Sequence, residues 1–426
     1  MRDGSRSEVT RIRTVTVALM VTLSALSYFD RTIMSIAAPS IMREFGISET
    51  AMGSVFSALL LSYTLLMTPG GWLADRFGPR AVLTAGGFGV ALLTAATAYC
   101  GNPGLGALLG VVPSFQIVRF LQGAMTAPLY PSCGRMAANW IPSSAQGSVQ
   151  ALIMAGAAVG SATSPLAFSR MMEAFGWRTS FLLAAAATAA VYAVWVVTVR
   201  DHPPGGPLAA PKRASSGSWR KLLTNRNLMM LTAGYFLLNY FEYIFFYWIY
   251  YYFGEIRHLG ARETALATTV LFITMAVMTP VGGKISDMLV ARRGLKFGRR
   301  SVAMAGMALS AVLLFLGAGG FGVIATVTLL SLALGCATCS EGPFWATAID
   351  VSGENVGAAC GILNTGGNLG GMLAPLVTPM LAARFGWAGG LYFGSLMVLI
   401  GTVTWLLVDP RARTGGTADA SLIAAS

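Results

Sequence analysis

The strongest constraint on this chain is its division into about twelve apolar stretches. A helix needs about 20 predominantly apolar residues to cross a hydrocarbon layer of ~30 Å. Charged residues make up only 11% of the 426 residues, against roughly 25% in a typical soluble domain. The sequence therefore predicts an all-α polytopic membrane protein with twelve transmembrane helices. The predicted spans are 14–38, 50–68, 81–100, 108–138, 147–170, 180–199, 228–253, 264–290, 301–318, 323–349, 357–383 and 387–408.

The distribution of Lys and Arg predicts the orientation. Most of the 29 basic residues fall in segments that are cytoplasmic if both termini are inside, whereas Arg31 and Arg119 fall within predicted spans. This bias follows the positive-inside rule. Topology thus accounts for the net charge of +12, and we expect the lipid bilayer as a partner, no nucleic acid, and a multi-pass location in the cell (inner or plasma) membrane.

Two segments recur later in the chain in the same order. TPGGWLADRFG at 68–78 is echoed by TPVGGKISD at 279–287, and GAAVGSATSPLAFSRMMEAFGW at 156–177 by GGNLGGMLAPLVTPMLAARFGW at 366–387. Such self-similarity indicates an internal structural repeat. Parallel repeats in transporters are related by an axis along the membrane normal, and substrate binds near the midplane at the repeat interface.

The repeat predicts two pseudo-symmetric six-helix halves. The Pro- and Gly-rich segment between them has the composition of a flexible connection. The predicted domains are an N-terminal half at 14–199, a cytoplasmic linker at 200–226, a C-terminal half at 227–409 and a cytoplasmic tail at 410–426.

The segment GGWLADRFGPR at 70–80 resembles the motif that joins the second and third helices in the major facilitator superfamily. Glycines allow close helix approach, and an acidic residue with neighbouring arginines can pair with a helix end and latch a gate. A plain topology signal is the alternative for this charge cluster. The residues that we assign to gating are Gly71, Asp75, Arg76, Gly78 and Arg80.

Four further stretches are YFDRTIMSIAAP at 28–39, FSALLLSY at 56–63, RFLQGAMTAPLYP at 119–131, and FWATAID through CGILNTGGNLGG at 344–371. They resemble the anion:cation symporter family, which includes proton-driven carriers of galactonate, glucarate and hexuronate. The resemblance implies the major facilitator fold. It also implies a secondary active transporter that imports a small organic anion with protons by alternating access.

Asp30 and Arg31 are adjacent charges inside the first predicted span. A charge at the centre of a membrane helix costs about 2.5–3.5 kcal/mol, and neighbouring helical residues point about 100° apart. We expect Arg31 and Arg119 to hold the anion, because a guanidinium group binds a carboxylate with two hydrogen bonds. We expect Asp30 to take up the coupling proton. A buried ion-pair network that fixes packing is the alternative.

The resemblance also implies a glutamate seven residues after Arg119, where this chain has Thr126. A threonine cannot titrate, so either Asp30 couples protons alone, or another carboxylate substitutes, or the chain is not a symporter. Glu242 and Glu341 lie in apolar sequence within the seventh and tenth spans and are the candidate substitutes. The Gly-Pro pair after Glu341 could open its helix around a site, and buried protonated acids are the alternative for both.

Neutral residues complete the predicted substrate site through their match to the family patterns. Phenol and carboxamide groups can hydrogen-bond sugar hydroxyls, and an indole face suits the C–H side of a sugar. Helix packing or an interfacial belt is the alternative for the tyrosines. The residues are Tyr28, Tyr63, Asn239, Tyr240, Trp345, Asn364 and Asn368.

The expected function is import of a sugar acid such as a hexonate, glucarate or hexuronate, although tartrate and aromatic carboxylates also suit two arginines and a polar cavity. A facilitator or exchanger, an exporter, and a transporter-like sensor remain alternatives. We expect a monomer that is not an enzyme and needs no cofactor. Cys336 and Cys339 form a C-x-x-C, but the five cysteines and two histidines do not provide a metal-ligand pattern.

Overall fold

The computed structural model describes residues 2–101, 103–203, 222–352 and 356–411, and these residues contain no β-strand. The predicted linker falls largely on 204–221 and the predicted tail largely on 412–426, which lie outside the described residues. The helices are α1 Arg2–Phe45, α2 Glu49–Phe77, α3 Pro79–Thr97, α4 Pro103–Leu109, α5 Val111–Thr126, α6 Leu129–Trp140, α7 Ser143–Thr198, α8 Arg226–Tyr251, α9 Ala261–Arg293, α10 Leu295–Ala318, α11 Val323–Thr338, α12 Glu341–Val351 and α13 Val356–Thr404. A π-helical turn, Tyr252–Ile256, follows α8, and a 3-10 turn, Trp405–Leu407, follows α13.

Nine helices in the described part of the chain are long and apolar enough to cross a membrane. Two of them, Ser148–Thr198 and Val356–Leu407, have 51 and 52 residues, and at 1.5 Å per residue a straight helix of that size would exceed twice the ~30 Å hydrocarbon layer. Gly176 (φ 74°) and Gly386 (φ 72°) interrupt them with a backbone conformation that glycine adopts readily. The prediction of an all-α polytopic protein is confirmed, and the count of twelve crossings stays a prediction.

The sequence repeat recurs as the same helix crossing in two places. A Cβ atom at Gly160 on α7 would collide with the backbone carbonyl oxygen of Ala25 on α1. A Cβ atom at Gly370 on α13 would likewise collide with the backbone carbonyl oxygen of Phe236 on α8. Small residues let helix backbones approach closely inside a membrane. The matched glycines of the repeat therefore mark the points where these helix pairs lie closest.

The predicted spans at 108–138 and 323–349 are each built from two helices. Pro128 separates α5 from α6, and Cys339 and Ser340 separate α11 from α12. Proline is disfavoured in a helix interior but tolerated in a first turn, which is where Pro343 lies in α12. The second break therefore falls immediately before Glu341.

The described residues cluster into two compact units. The first contains the chain up to residue 203 together with Ile244–Ala276 and Pro375–Trp387. The second contains residues 222–243, Val277–Ala374 and residues 388–411. The boundaries of the two six-helix halves in the sequence stay a prediction.

Candidate functional site

Asp30 lies on α1 in the first unit and is 2% exposed. Its Oδ2 accepts a hydrogen bond from the Thr188 hydroxyl at 3.1 Å, and its Oδ1 has no hydrogen-bond partner among the described residues. Arg119 acts on Asp30 electrostatically from a neighbouring helix. One oxygen of this buried carboxyl group is thus held in place, and the other is available to a proton or to a water molecule.

Arg31 lies between two tyrosine rings. Its guanidinium carbon is 5.0 Å from the ring centroid of Tyr28 and 4.7 Å from that of Tyr63, and its side chain also hydrogen-bonds to Tyr63. Cation–π contacts of this kind attract a guanidinium group without neutralising its charge. The structure therefore brings together three residues that the sequence assigned to substrate binding.

Arg119 is 1% exposed and is held by polar but uncharged groups. Its Nη1 donates to Gln122 Oε1 at 2.7 Å, and its Nη2 donates to the backbone oxygen of Arg31 at 3.4 Å. Gln122 Nε2 in turn donates to the Thr94 hydroxyl at 3.0 Å. Within the described chain, Arg119 Nε has no hydrogen-bond partner. This network orients the guanidinium group and leaves its positive charge for another partner.

A cavity of about 20 Å³ lies beside Asp30. Its lining includes Asp30, Thr126, Thr188 and Tyr192, all of the first unit. A volume of this order admits one water molecule. Thr126 therefore faces the same space as Asp30, so the position where the family resemblance implies a glutamate is next to the predicted proton site.

Glu242 and Glu341 come together in the second unit, where their carboxyl groups hydrogen-bond to one another. Glu341 Oε2 also accepts from the Tyr235 hydroxyl at 2.9 Å and from Trp345 Nε1 at 3.2 Å. Sequence reasoning named the two glutamates and Trp345 separately. Their direct contact places all three in one polar cluster.

The other neutral candidates of the second unit fall in two places. Asn368 Nδ2 donates to Asn364 Oδ1 at 3.1 Å, and Asn239 Nδ2 donates to the backbone oxygen of Tyr235 at 3.0 Å. The Tyr240 ring packs edge-on against Phe393, with centroids 5.6 Å apart. The two asparagines of α13 thus form a pair, whereas the ring of Tyr240 contributes to helix packing.

The predicted gating motif lies at the junction of α2 and α3. Asp75 Oδ1 is 3.6 Å from Arg135 Nε on α6. The backbone N–H of Arg80 donates to Asp201 Oδ1 at 2.9 Å, and Gly78 adopts φ 86° beside that carboxylate. The motif thus contacts α6 through Asp75 and the segment after α7 through Asp201. Its gating role stays a prediction.

The rest of the motif makes local contacts. The Arg76 guanidinium carbon is 5.2 Å from the ring centroid of Trp72. A Cβ atom at Gly71 would lie 3.4 Å from Pro131, so that glycine provides close packing. The matched aspartate of the repeat, Asp287, accepts a hydrogen bond from Arg299 Nη1 at 2.6 Å.

A second cluster of contacts in the first unit lies away from the α2–α3 junction, among segments that are external in the predicted orientation. Glu49 Oε1 accepts from the Tyr251 hydroxyl at 2.6 Å and from Trp387 Nε1 at 3.2 Å. Arg43 and Glu255 form an ion pair at 3.2 Å. These contacts connect the C-terminal end of α1 and the N-terminal end of α2 with the C-terminal end of α8 and with the kink at Gly386 inside α13.

Three residues around Asp30 and the buried arginines were not predicted from the sequence. Gln122 could have been found, because residues three apart on a helix face one another. Thr188 lies 158 positions from Asp30, so no local pattern connects them. Tyr247 acts electrostatically with Arg31 and Arg119 but lies in an aromatic run where nothing distinguishes it.

Comparison with known proteins places this geometry in context. The family model described as Major Facilitator Superfamily matches residues 20–296 and 267–424. The probable sulfoacetate transporter of Cupriavidus necator is 27% identical over 396 residues, covering 88% of this chain and 89% of the relative. The probable galactarate/D-glucarate transporter of Bacillus subtilis is 26% identical, covering 95% and 93%. The hexuronate transporter of Bacillus subtilis is 28% identical, covering 88% and 91%.

Solved structures resemble this fold over nearly the whole chain. The crystal structure of a bacterial homologue of the human lysosomal transporter Spinster, in an inward-facing and occupied conformation, superposes with a TM-score of 0.79. Its sequence is 14% identical, and the match covers 95% of this chain and 99% of that one. At that level of identity the similarity concerns the fold alone.

Proposed function

Because the chain belongs to the major facilitator superfamily, and is therefore a multi-pass carrier of the cell membrane, we propose that it imports a small organic anion together with protons by alternating access. Its curated relatives are named as transporters of organic anions, among them sulfoacetate, galactarate or glucarate, and hexuronate. We propose three features beyond anion transport: import as the direction, coupling to protons, and a sugar acid as the substrate.

The observation that carries the proposal is the pair of buried guanidinium groups, Arg31 and Arg119, in one unit. They are 5% and 1% exposed, and each charge costs about 2.5–3.5 kcal/mol at the centre of a membrane helix. A carboxylate offsets that cost because it accepts two charge-assisted hydrogen bonds from a guanidinium group. The unpartnered Nε of Arg119 leaves such a donor available in the described chain.

A sugar acid suits the neutral side chains near these arginines. Tyr28 and Tyr63 flank Arg31, and phenol hydroxyls donate to or accept from sugar hydroxyls. The proposed substrate is a hexonate, glucarate or hexuronate.

Proton coupling is assigned to Asp30. Asp30 lines a cavity that admits one water molecule, and its Oδ1 has no hydrogen-bond partner among the described residues, so this oxygen is available to take up a proton. A protonated Asp30 no longer offsets the positive charge of Arg119 and therefore favours anion loading. Deprotonation restores a negative charge close to Arg119 and favours anion release.

Alternating access requires contacts that form in one state and break in the other. The Glu49 contacts with Tyr251 and Trp387 are the proposed external latch. The ion pair between Asp75 and Arg135 belongs to the proposed cytoplasmic latch. Each is a small polar cluster, so a change of a few kcal/mol is enough to shift the balance between states.

A facilitator or exchanger is the second candidate. Thr126 favours it, because this residue lines the Asp30 cavity and cannot hold a proton. Such a protein would exchange anions across the membrane without accumulating them against a gradient.

Counterflow in proteoliposomes tests the transport proposal without assuming proton coupling. Vesicles preloaded with one unlabelled acid from a panel of hexonates, hexuronates, glucarate, tartrate and aromatic acids are given the same acid in labelled form. We expect labelled sugar acid to enter transiently above its equilibrium level, and to do so more than tartrate or aromatic acids. Absence of counterflow for every acid would refute the proposed function.

A further inference from the structure

The carboxyl groups of Glu242 and Glu341 meet inside the second unit and hydrogen-bond to one another. Glu242 is 6% exposed, and its Oε1 has no hydrogen-bond partner among the described residues. An ionised carboxylate can only accept hydrogen bonds. A hydrogen bond between two carboxyl groups therefore requires that one of them carry a proton.

The surrounding donors identify which carboxyl group accepts. Glu341 Oε2 receives the Tyr235 hydroxyl at 2.9 Å and Trp345 Nε1 at 3.2 Å. Trp345 Nε1 also lies 3.1 Å from the Tyr235 hydroxyl oxygen. Both donors therefore converge on Glu341 Oε2 and contact one another. Hydrogen bonds to the charged form of a carboxyl group stabilise that form. Glu341 is thus the acceptor, and Glu242 is the partner that must supply the proton.

Charge balance leads to the same arrangement. Among the described residues, the other side chains that hydrogen-bond to the pair are Tyr235 from α8 and Trp345 from α12, and both are neutral. Across the described ranges, neither Lys nor Arg forms an ion pair with Glu242 or Glu341. Two adjacent carboxylates without a cation cannot both remain ionised in a buried site.

We propose that Glu242 and Glu341 share one proton and form a second proton-binding site of the carrier, with Glu242 as the acid and Glu341 as its hydrogen-bonded acceptor. Tyr235 and Trp345 are positioning residues that hold Glu341. Glu341 is the first residue of α12, directly after the break at Cys339 and Ser340. A movement at this break alters the distance between the two carboxyl groups and exposes the proton to exchange.

This inference rests on the proposed function for its consequence. If Asp30 carries one proton and the glutamate pair carries another, two protons enter with each anion. Entry of a dianion such as glucarate with two protons moves no net charge across the membrane. Entry of a monoanion with two protons would move one positive charge inward. The glutamate pair thus predicts electroneutral transport for a dianion and inward movement of one positive charge for a monoanion.

Infrared difference spectroscopy on the purified full-length protein tests the shared proton directly. A Glu242→Gln variant keeps a hydrogen-bond donor toward Glu341 but has no carboxylic acid at that position. We expect the wild-type-minus-variant spectrum to contain one protonated carboxyl band that shifts in D2O. Glu173→Gln, which changes an exposed carboxylate, is the matched control and should leave that band unchanged.

Two further variants keep the test decisive. Glu341→Gln leaves Glu242 as a buried acid but replaces its carboxylate acceptor, so it should shift the band. Tyr235→Phe should also shift the band because it removes one donor from Glu341. If the protonated carboxyl band persists unchanged in both glutamine variants, the inference is overturned. The spectra need no substrate, so this result is independent of whether any sugar acid is transported.

Flux measurements test the consequence separately. In Glu242→Gln the number of protons that enter with each anion should fall from two to one. Two protons per anion in that variant would overturn the assignment to the pair. Absence of counterflow in the wild-type protein would instead overturn the proposed function and leave the infrared result standing.

Discussion

Arg119 donates a hydrogen bond from Nη1 to Gln122 Oε1 across 2.7 Å. Gln122 lies one helical turn away on α5, and its own amide donates to Thr94 on α3. A neutral carboxamide thus fixes the direction of a buried guanidinium group without cancelling its charge. This relationship explains how a cation can be held ready for an anion inside the membrane.

Replacement of Arg119 by lysine should weaken anion binding. An ammonium group keeps the charge but cannot make two parallel hydrogen bonds to a carboxylate. We expect an increase in the substrate Kd of about tenfold or more, or about 1.4 kcal/mol, measured by isothermal titration in detergent. Arg178→Lys, at a site where Arg178 pairs with Glu44, is the control and should leave the Kd unchanged. Equal affinity in wild type and Arg119→Lys would exclude Arg119 from the anion site.

Replacement of Asp30 by asparagine should separate transport from coupling. The amide is close in size to the carboxyl group and can still accept a hydrogen bond from Thr188, but it cannot take up a proton. We expect counterflow to remain and accumulation driven by a pH gradient to fall, because only the proton of the glutamate pair stays coupled; both are measured with labelled substrate. Thr188→Val, which removes only the hydroxyl partner, should retain some accumulation. Full accumulation in Asp30→Asn would move proton coupling to another residue.

Removal of the Tyr251 hydroxyl should weaken the proposed external latch. A hydrogen bond to a charged group contributes roughly 1.5–3 kcal/mol, so Tyr251→Phe should increase the population of the externally open state about tenfold. Spin labels at the exposed residues Glu173 and Arg262 would report the change as a larger fraction of long distances. Tyr392→Phe, which keeps its ring packing on Phe315, is the control. An unchanged distance distribution in Tyr251→Phe would show that the contact is not a latch.

The repeated glycines should differ sharply from other glycines in the same helix. Gly370→Ala places a methyl group against the backbone oxygen of Phe236, whereas Gly361→Ala meets open space. Overpacking typically costs 1–3 kcal/mol, so Gly370→Ala should lower the Tm of the purified protein by several degrees. Gly361→Ala should leave the Tm close to that of wild type. Equal Tm values for the two variants would contradict the close crossing of α8 and α13.

Much of the fold could be predicted from the sequence because membrane helices have a strong local signal. The repeat in particular predicted equivalent features, and Gly160 and Gly370 indeed lie at equivalent helix crossings. The helix breaks at Pro128 and before Glu341 were harder to predict, because an apolar run continues through both. The hydropathy of a segment indicates whether it lies in an apolar environment, but it does not show whether the segment forms one unbroken helix.

The candidate site was predictable as single residues but not as contacts. Asp30, Arg31, Arg119, Glu242 and Glu341 are conspicuous because charges are rare in apolar spans. The contact between Glu242 and Glu341, like that between Asp30 and Thr188, joins residues about 100 or more positions apart and depends on tertiary packing. The pairing of these carboxyl groups, which determines their chemistry, therefore required the structure.

The most direct test of the account is proton entry during anion uptake. Proteoliposomes that contain a pH-sensitive dye are given hexonates, hexuronates and glucarate in turn, in the absence of any other gradient. We expect the lumen to acidify when a transported sugar acid is added, and Asp30→Asn to reduce the number of protons that enter with each anion. A silent dye in vesicles that show strong counterflow of the same acid would contradict proton symport and identify a facilitator or exchanger.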